Sequence, residues 1–186
     1  ITTGFNLNCV NPIVGGIDDL LILGNLDEFT ITYDPANPLL VVNVEPISTA
    51  KLYAFYGTNN SFGSMSKQVL TTGGPRYEHT NDFNIMGNDT DIKEQLTGLG
   101  FGRVISFVFN NWKEGDSAIE MFGATHGLQL KESERNTADD AMEGGYKLKL
   151  GTPDRLKEPQ SPAGVLIPVT TGTYTTTKEA LFALLG

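Results

Sequence analysis

Residues 122–159 read FGATHGLQLKESERNTADDAMEGGYKLKLGTPDRLKEP, and this stretch decides the fold class. Gly127 to Leu130 alternate with period two, and Tyr146 to Leu150 do the same, so each run buries one face and wets the other as a strand does. Lys131 to Glu143 lies between them, rich in Glu, Asp, Ser and Asn and without a sustained apolar period. It is long for a hairpin loop, and loops of that length are functional or mobile. No nucleophile, metal set or phosphate-binding loop occurs in the stretch, so its expected role is contact rather than bond chemistry.

Strand signals continue on both sides. Leu20 to Leu23 is a continuous apolar run suited to a fully buried strand, and Phe29, Ile31 and Tyr33 alternate with Thr30 and Thr32 as a half-buried one. Gly24 to Asp27 and Asp34 to Pro38 read as turns, the second with two prolines that no central strand accepts. Leu39 to Val44, Lys51 to Tyr56, Ser66 to Thr72 and Arg76 to Met86 follow as strands. On the last of these Tyr77, His79, Asn81, Phe83 and Ile85 share a face, and its two polar members predict a face only partly buried or turned to a neighbouring subunit. Phe101 to Phe109 is the most apolar run and the expected central strand, returning through Lys113 to Asp116 into Ala118 to Phe122.

Two helices are expected. Asp91 to Leu99 opens with Asp91 and Glu94 at capping-box spacing, carries Ile92, Leu96 and Leu99 as an apolar stripe, and ends at Gly98 and Gly100. Thr176 to Leu185 has Thr176 and Glu179 at the same spacing and Leu181, Leu184 and Leu185 on one side; so short a helix needs a surface to dock on, its own domain or a neighbour's. About ten short strands and two helices, with no internal repeat, define a mainly β chain: an antiparallel β-sandwich or barrel with one short helix packed on it and a C-terminal helix or arm. A single domain over residues 1–186 is expected, with an N-terminal arm (1–16), a long hairpin loop (131–143) and a C-terminal extension (160–186).

Composition narrows the function. The 186 residues carry 22 Asp and Glu against 13 Lys and Arg, a net charge of -9 that opposes binding to nucleic acid. Cys9 is the only cysteine, which excludes a disulfide framework. No apolar run approaches membrane-spanning length, and no basic-then-apolar leader is visible. The sequons at Asn59 and Asn88 read as chance matches in turns.

The candidates for chemistry are weak. His79 and His126 have no second His or Cys at metal spacing, the pairs Asp18-Asp19 and Asp139-Asp140 do not converge on a strand, and Asp89 to Asp91 lacks the glycine and terminal Glu of a calcium loop. Gly63-Ser64-Met65-Ser66 lacks the second glycine of a nucleophile elbow, and Gly98-Leu99-Gly100-Phe101-Gly102 follows a helix and precedes a strand, the reverse of the nucleotide-binding order. The expectation is a protein that is not an enzyme and holds no cofactor.

Cys9, Gly15-Gly16, Asp18, Leu21-Ile22-Leu23 and Asn25-Leu26-Asp27, followed by Gly127-Leu128-x-Leu130, Ala138-x-Asp140, Gly145-Tyr146-x-Leu148-x-Leu150 and Glu158-Pro159, form a pattern that resembles virion structural proteins of tailed phages infecting Bacteroidota. These look like tail tube or major tail proteins. One departure is Met142-Glu143-Gly144-Gly145-Tyr146, where the family pattern has an Asp-Asn-Gly-Tyr-like turn. The resemblance implies copies that join into rings, commonly sixfold, stacked into a tube that conducts DNA without binding it specifically. It also implies other tail proteins as partners and residence in the virion after assembly in the host cytoplasm. On that reading Lys131, Glu132, Glu134, Arg135, Asp139, Asp140 and Glu143 of the acidic loop, with Leu181 and Leu184 of the terminal helix, are the candidate inter-subunit contacts. A neck or ring component of the same virion fits the pattern as well. The alternative from a different class is a carbohydrate-binding β-sandwich using Tyr53, Tyr56, Tyr77 or Trp112 as stacking residues.

Overall fold

A computed structural model describes residues 15–57, 61–137, 144–168 and 171–186. The strands are β1 (Ile17–Asn25), β2 (Phe29–Asp34), β3 (Asn37–Pro46), β4 (Tyr53–Tyr56), β5 (Gly63–Thr71), β6 (Gly74–Ile85), β7 (Val104–Asn110), β8 (Ile119–Phe122), β9 (Gln129–Glu134), β10 (Tyr146–Gly151) and β11 (Ala163–Val165). Helix α1 (Thr90–Phe101) precedes β7, and α2 (Tyr174–Phe182) follows β11. The strands form a seven-stranded sheet in the order β2-β3-β11-β8-β7-β1-β4 and a four-stranded sheet in the order β5-β6-β10-β9. Every strand pair is antiparallel except β11 with β3. The molecule is a β-sandwich with a short helix and a C-terminal helix.

The apolar pattern explains why the larger sheet is central. Leu20 and Ile22 of β1, with Ile105, Phe107 and Phe109 of β7, face one cluster that α2 closes through Leu181. Leu21 and Leu23, with Val104 and Val108, face the opposite cluster, where Phe83 of β6 and Leu148 and Leu150 of β10 close the sandwich. A strand covered on both faces has no wet side, which is why these two runs are apolar at every position but Ser106 rather than alternating. Strands at the rim, such as β2, keep one polar face.

The second sheet begins as a long hairpin, β5 and β6, paired from Gly63↔Asp82 to Thr71↔Gly74. Strand β10 pairs with β6 on one side and β9 on the other. Here the expected loop is shorter than its composition implies. Lys131, Glu132 and Glu134 belong to β9, not to the loop, and lie opposite β10 in the register Lys149↔Glu132 and Lys147↔Glu134. Opposite charges facing one another across two strands hold a solvated face together, so a segment without an apolar period still forms a strand.

Other boundaries also move. Asp89, not Asp91, caps α1, its carboxylate accepting the Ile92 N–H at 2.8 Å, and the helix runs through Gly98 and Gly100 to end at Gly102. The apolar stripe is unaffected: Leu96 and Leu99 pack on the inter-sheet cluster. Phe101, expected to open the central strand, is instead the last helical residue and 91% exposed. Thr173, not Thr176, caps α2, with Thr176 closing a reciprocal capping box. Pro38 lies inside β3, tolerated because the register jumps from Tyr33↔Val41 to Asp34↔Asn37 and spares its missing N–H a partner. Residues 160–186, expected as an extension, supply β11 between β3 and β8 and the α2 cover.

Candidate functional site

The stretch from Phe122 to Pro159 folds around a turn, Gly123 to Gly127, held from two sides. Both glycines have positive φ, 71° and 74°, and a Cβ on Gly123 would sit 2.8 Å from Leu128 Cγ, so side chains are excluded there by conformation and by space. The Gly123 N–H donates to His79 Nδ1 at 3.2 Å. Glu158, fully buried, accepts from the N–H groups of Thr125 at 3.1 Å and His126 at 2.8 Å. Its own backbone bridges Tyr77 in both directions, at 2.9 and 3.0 Å. A buried carboxylate needs such donors to offset its lost hydration. Its position follows from the Glu158-Pro159 pair that closes the stretch.

His79 and Asn81 therefore do not lie on a face that is partly wet or turned to a neighbour: they are 2% and 1% exposed. The His79 backbone meets Thr152, whose hydroxyl accepts from His79 N at 2.6 Å and donates to His79 O at 3.1 Å, and Asn81 Nδ2 donates to Ser106 Oγ at 2.6 Å across the sandwich. Burial pushes the His79 imidazole down to about 4, opposed by the Gln160 backbone. Because an unfolded histidine titrates near about 6.5, the unfolded chain takes the proton first, and stability is fully present above that pH and lost as the pH falls towards 4. Between pH 7 and pH 4.5 wild-type protein is expected to lose about 2.5 kcal/mol more than His79→Gln, measured by denaturant midpoints. Parallel profiles for the two proteins would contradict a neutral buried His79.

Among the described residues no group of three or more His, Cys, Asp or Glu converges on a common point. Asp18 accepts weakly from the Tyr174 hydroxyl at 3.5 Å and lies 4.0 Å from Lys113 Nζ; burial, then the Asp18 charge, pushes Tyr174 up to about 12. Trp112 and Tyr77 are partly buried, whereas Tyr53 and Tyr56 are 53% and 66% exposed on β4.

The exposed features are edges and apolar side chains. Strand β5 is nine residues long, pairs only with β6, and leaves its other edge free of any described strand. Met65 and Leu70 on it are 54% and 83% exposed. At the opposite edge of the same sheet lies β9, with Glu132 and Glu134 exposed and Lys131 tied to Asp154 by a 2.6 Å ion pair. The outward side of this sheet is a mixed field of Lys67, Glu78, Asp82, Lys147 and Lys149 with those acids.

Of the expected contact residues, Lys131, Glu132, Glu134 and Arg135 fall on or beside this edge, and Arg135 Nε donates to Gly144 O at 2.9 Å across the base of the loop. Asp139, Asp140 and Glu143 lie outside the described residues. Leu181 is not available to a neighbour: it is 0% exposed in the core beneath α2, and Leu184 packs against the same cluster. The helix docks on its own domain because β1, β7 and β11 turn an apolar face towards it. The β5 edge has no signal in the sequence, because a free edge is a property of pairing, not of residue type.

No helix among the described residues is long and apolar enough to cross a membrane. No family model, curated protein or solved structure matches the chain.

Proposed function

We propose that this chain is a structural protein of a tailed-phage virion whose copies join side by side into rings, sixfold by the resemblance, that stack into the tail tube through which DNA passes. The observation that carries the reading is the nine-residue edge of β5, which no described strand pairs, at one side of a four-stranded sheet whose other edge is β9. An unpaired edge of that length, with two exposed apolar side chains, is a template for another strand. Different surfaces meeting head to tail generate a closed ring when the rotation closes, so β5 of one copy against the β9 edge of the next would extend one sheet around a lumen. The net charge of -9 keeps DNA from adhering to such an assembly. A neck ring of the same virion would use the same edge.

Purified protein is expected to form rings or tubes in negative stain and a correspondingly large particle in light scattering. Replacing Met65 and Leu70 together by lysine puts charge on the free edge and is expected to lower assembly at least tenfold at equal concentration. Surface substitutions change stability by about 0.5 kcal/mol or less each, so the thermal midpoint should barely move. Undiminished rings from that double variant would remove β5 from the interface. A wild-type monomer at high concentration that binds glycans through Tyr53 and Tyr56, the exposed aromatic pair, would replace the tube reading with the carbohydrate-binding one.

A further inference from the structure

The two edges of the small sheet, β5 and β9, carry complementary rows of side chains. On β6 the buried His79 faces the core and Glu78 faces out, so their register partners on β5, Ser66 and Lys67, divide in the same way. Leu70 belongs to the inward row with Ser66 and is 83% exposed. On β9, Glu132 and Glu134 stand outward opposite Lys149 and Lys147, while Leu130 stands inward opposite Leu150. Alternation then places Arg135, the exposed residue just past Glu134, on the inward row.

Along the inward row of β5 runs a groove of about 510 Å³, where this strand meets β8, β11 and the start of β3. Ser64 and Ser66 line it from β5, and its charged lining is Asp116 and Glu120, with no Lys or Arg. Asp116 is exposed, and Glu120 Oε2 accepts from Asn110 Nδ2 at 3.0 Å. Burial pushes the Glu120 carboxyl up, against that hydrogen bond. A cationic side chain entering beside Ser66 would meet two acids and no competing base.

Resting on the ring reading above, we propose that the β9 edge of the next copy adds to β5 in a single antiparallel register, which sets the next copy's Arg135 opposite Ser66, its Glu134 opposite Lys67 and its Leu130 opposite Leu70. The direction follows from the sheet: β5, β6, β10 and β9 alternate, so a rotation that continues the sheet brings β9 to β5 antiparallel. The register follows from the side chains. β9 carries one extra residue between Leu130 and Glu132, and counting across it as on its β10 side places Leu130 on Leu70 when Glu134 meets Lys67. An exposed leucine is then covered by an apolar side chain, an ion pair forms on the outward row, and Arg135 enters the groove with Asp116 and Glu120. Its Nε donates to Gly144 O at 2.9 Å, but a guanidinium has five donors and that bond uses one. The remaining pairs, Gln68 with Ser133 and Val69 with Glu132, bring no like charges together. A slip of two residues sets Leu130 against Gln68 rather than Leu70, and a slip of one turns every side chain to the wrong face.

Ring assembly of the full-length protein against concentration tests the pairing. Arg135→Glu is expected to raise the concentration needed for half-assembly about tenfold or more, because an attraction becomes a like-charge contact. Asp116→Lys, at an exposed position, should do the same, and the two changes together should return assembly to within about threefold of wild type. A second measurement reads the register. Cys9 is the only native cysteine, and in a Cys9→Ser background Lys67→Cys/Glu134→Cys is expected to form disulfides under oxidised glutathione at least about fivefold more than Lys67→Cys/Glu132→Cys. Within one copy β6 and β10 separate Lys67 from Glu134, so that bond forms only between copies. Wild-type rings with undiminished assembly of Arg135→Glu, or with equal yields from the two cysteine pairs, would overturn the register and leave the ring reading standing. A wild-type protein that forms no rings would overturn both.

Discussion

Glu158→Ala is expected to lower the unfolding free energy by about 3 kcal/mol. The carboxylate is fully buried and accepts from Thr125 N and His126 N, and a hydrogen bond to a charged group contributes about 1.5–3 kcal/mol. Losing both leaves two donors of a tight turn unpaired, while removal of a buried charge offsets part of the cost. Glu158→Gln keeps one acceptor oxygen and should lose about half as much. Urea denaturation of the three proteins checks the order. If alanine costs under about 1 kcal/mol, the turn is held by its glycines and by His79, and Glu158 is not its anchor.

Phe83→Ala should cost about 4 kcal/mol. Phe83 sits on β6 at 0% exposure between the two sheets, edge-on to Phe55 at 5.4 Å and to Phe62 at 6.1 Å. Truncation removes the apolar transfer energy, opens a cavity and breaks both aromatic contacts, each worth about 0.5–1.5 kcal/mol beyond area. Phe101→Ala is the matched control. At 91% exposure on the end of α1 it should change stability by less than about 0.5 kcal/mol. Similar losses for the two would mean that the sheets are joined elsewhere than at Phe83.

What is legible in the residues divides along physical lines. Leu20 to Leu23 and Val104 to Phe109 stand out because a strand buried on both faces is apolar at nearly every position, and both are buried throughout, with Ser106 the one polar residue between them, partnered by Asn81. The β5 and β6 hairpin is readable from its local pattern. Burial of His79 and Asn81 is not, because their partners, Thr152, Gly123 and Ser106, come from distant parts of the chain. The continuation of β9 from Lys131 to Glu134 is hidden for a related reason: Glu132 and Glu134 gain their meaning from Lys149 and Lys147 on the next strand. The cap of α1 shifts by two residues because Asp89 and Asp91 both have the right chemistry and only backbone conformation chooses between them. Of the candidate site, the acidic residues beside the loop are legible, whereas the free edge of β5 is not.

Strand β11 also sets a timetable for synthesis. The hairpin of β2 and β3 joins the rest of its sheet only through β11, which pairs with β3 on one side and β8 on the other. A hairpin made from residues 29–46 therefore waits, without its sheet neighbour, until residues 163–165 have left the ribosome. Pairings between such distant segments are slow to close. Chains stalled on the ribosome before that point expose an unfinished edge, so a truncated nascent chain should be open to protease at β2 and β3 while the released protein is closed.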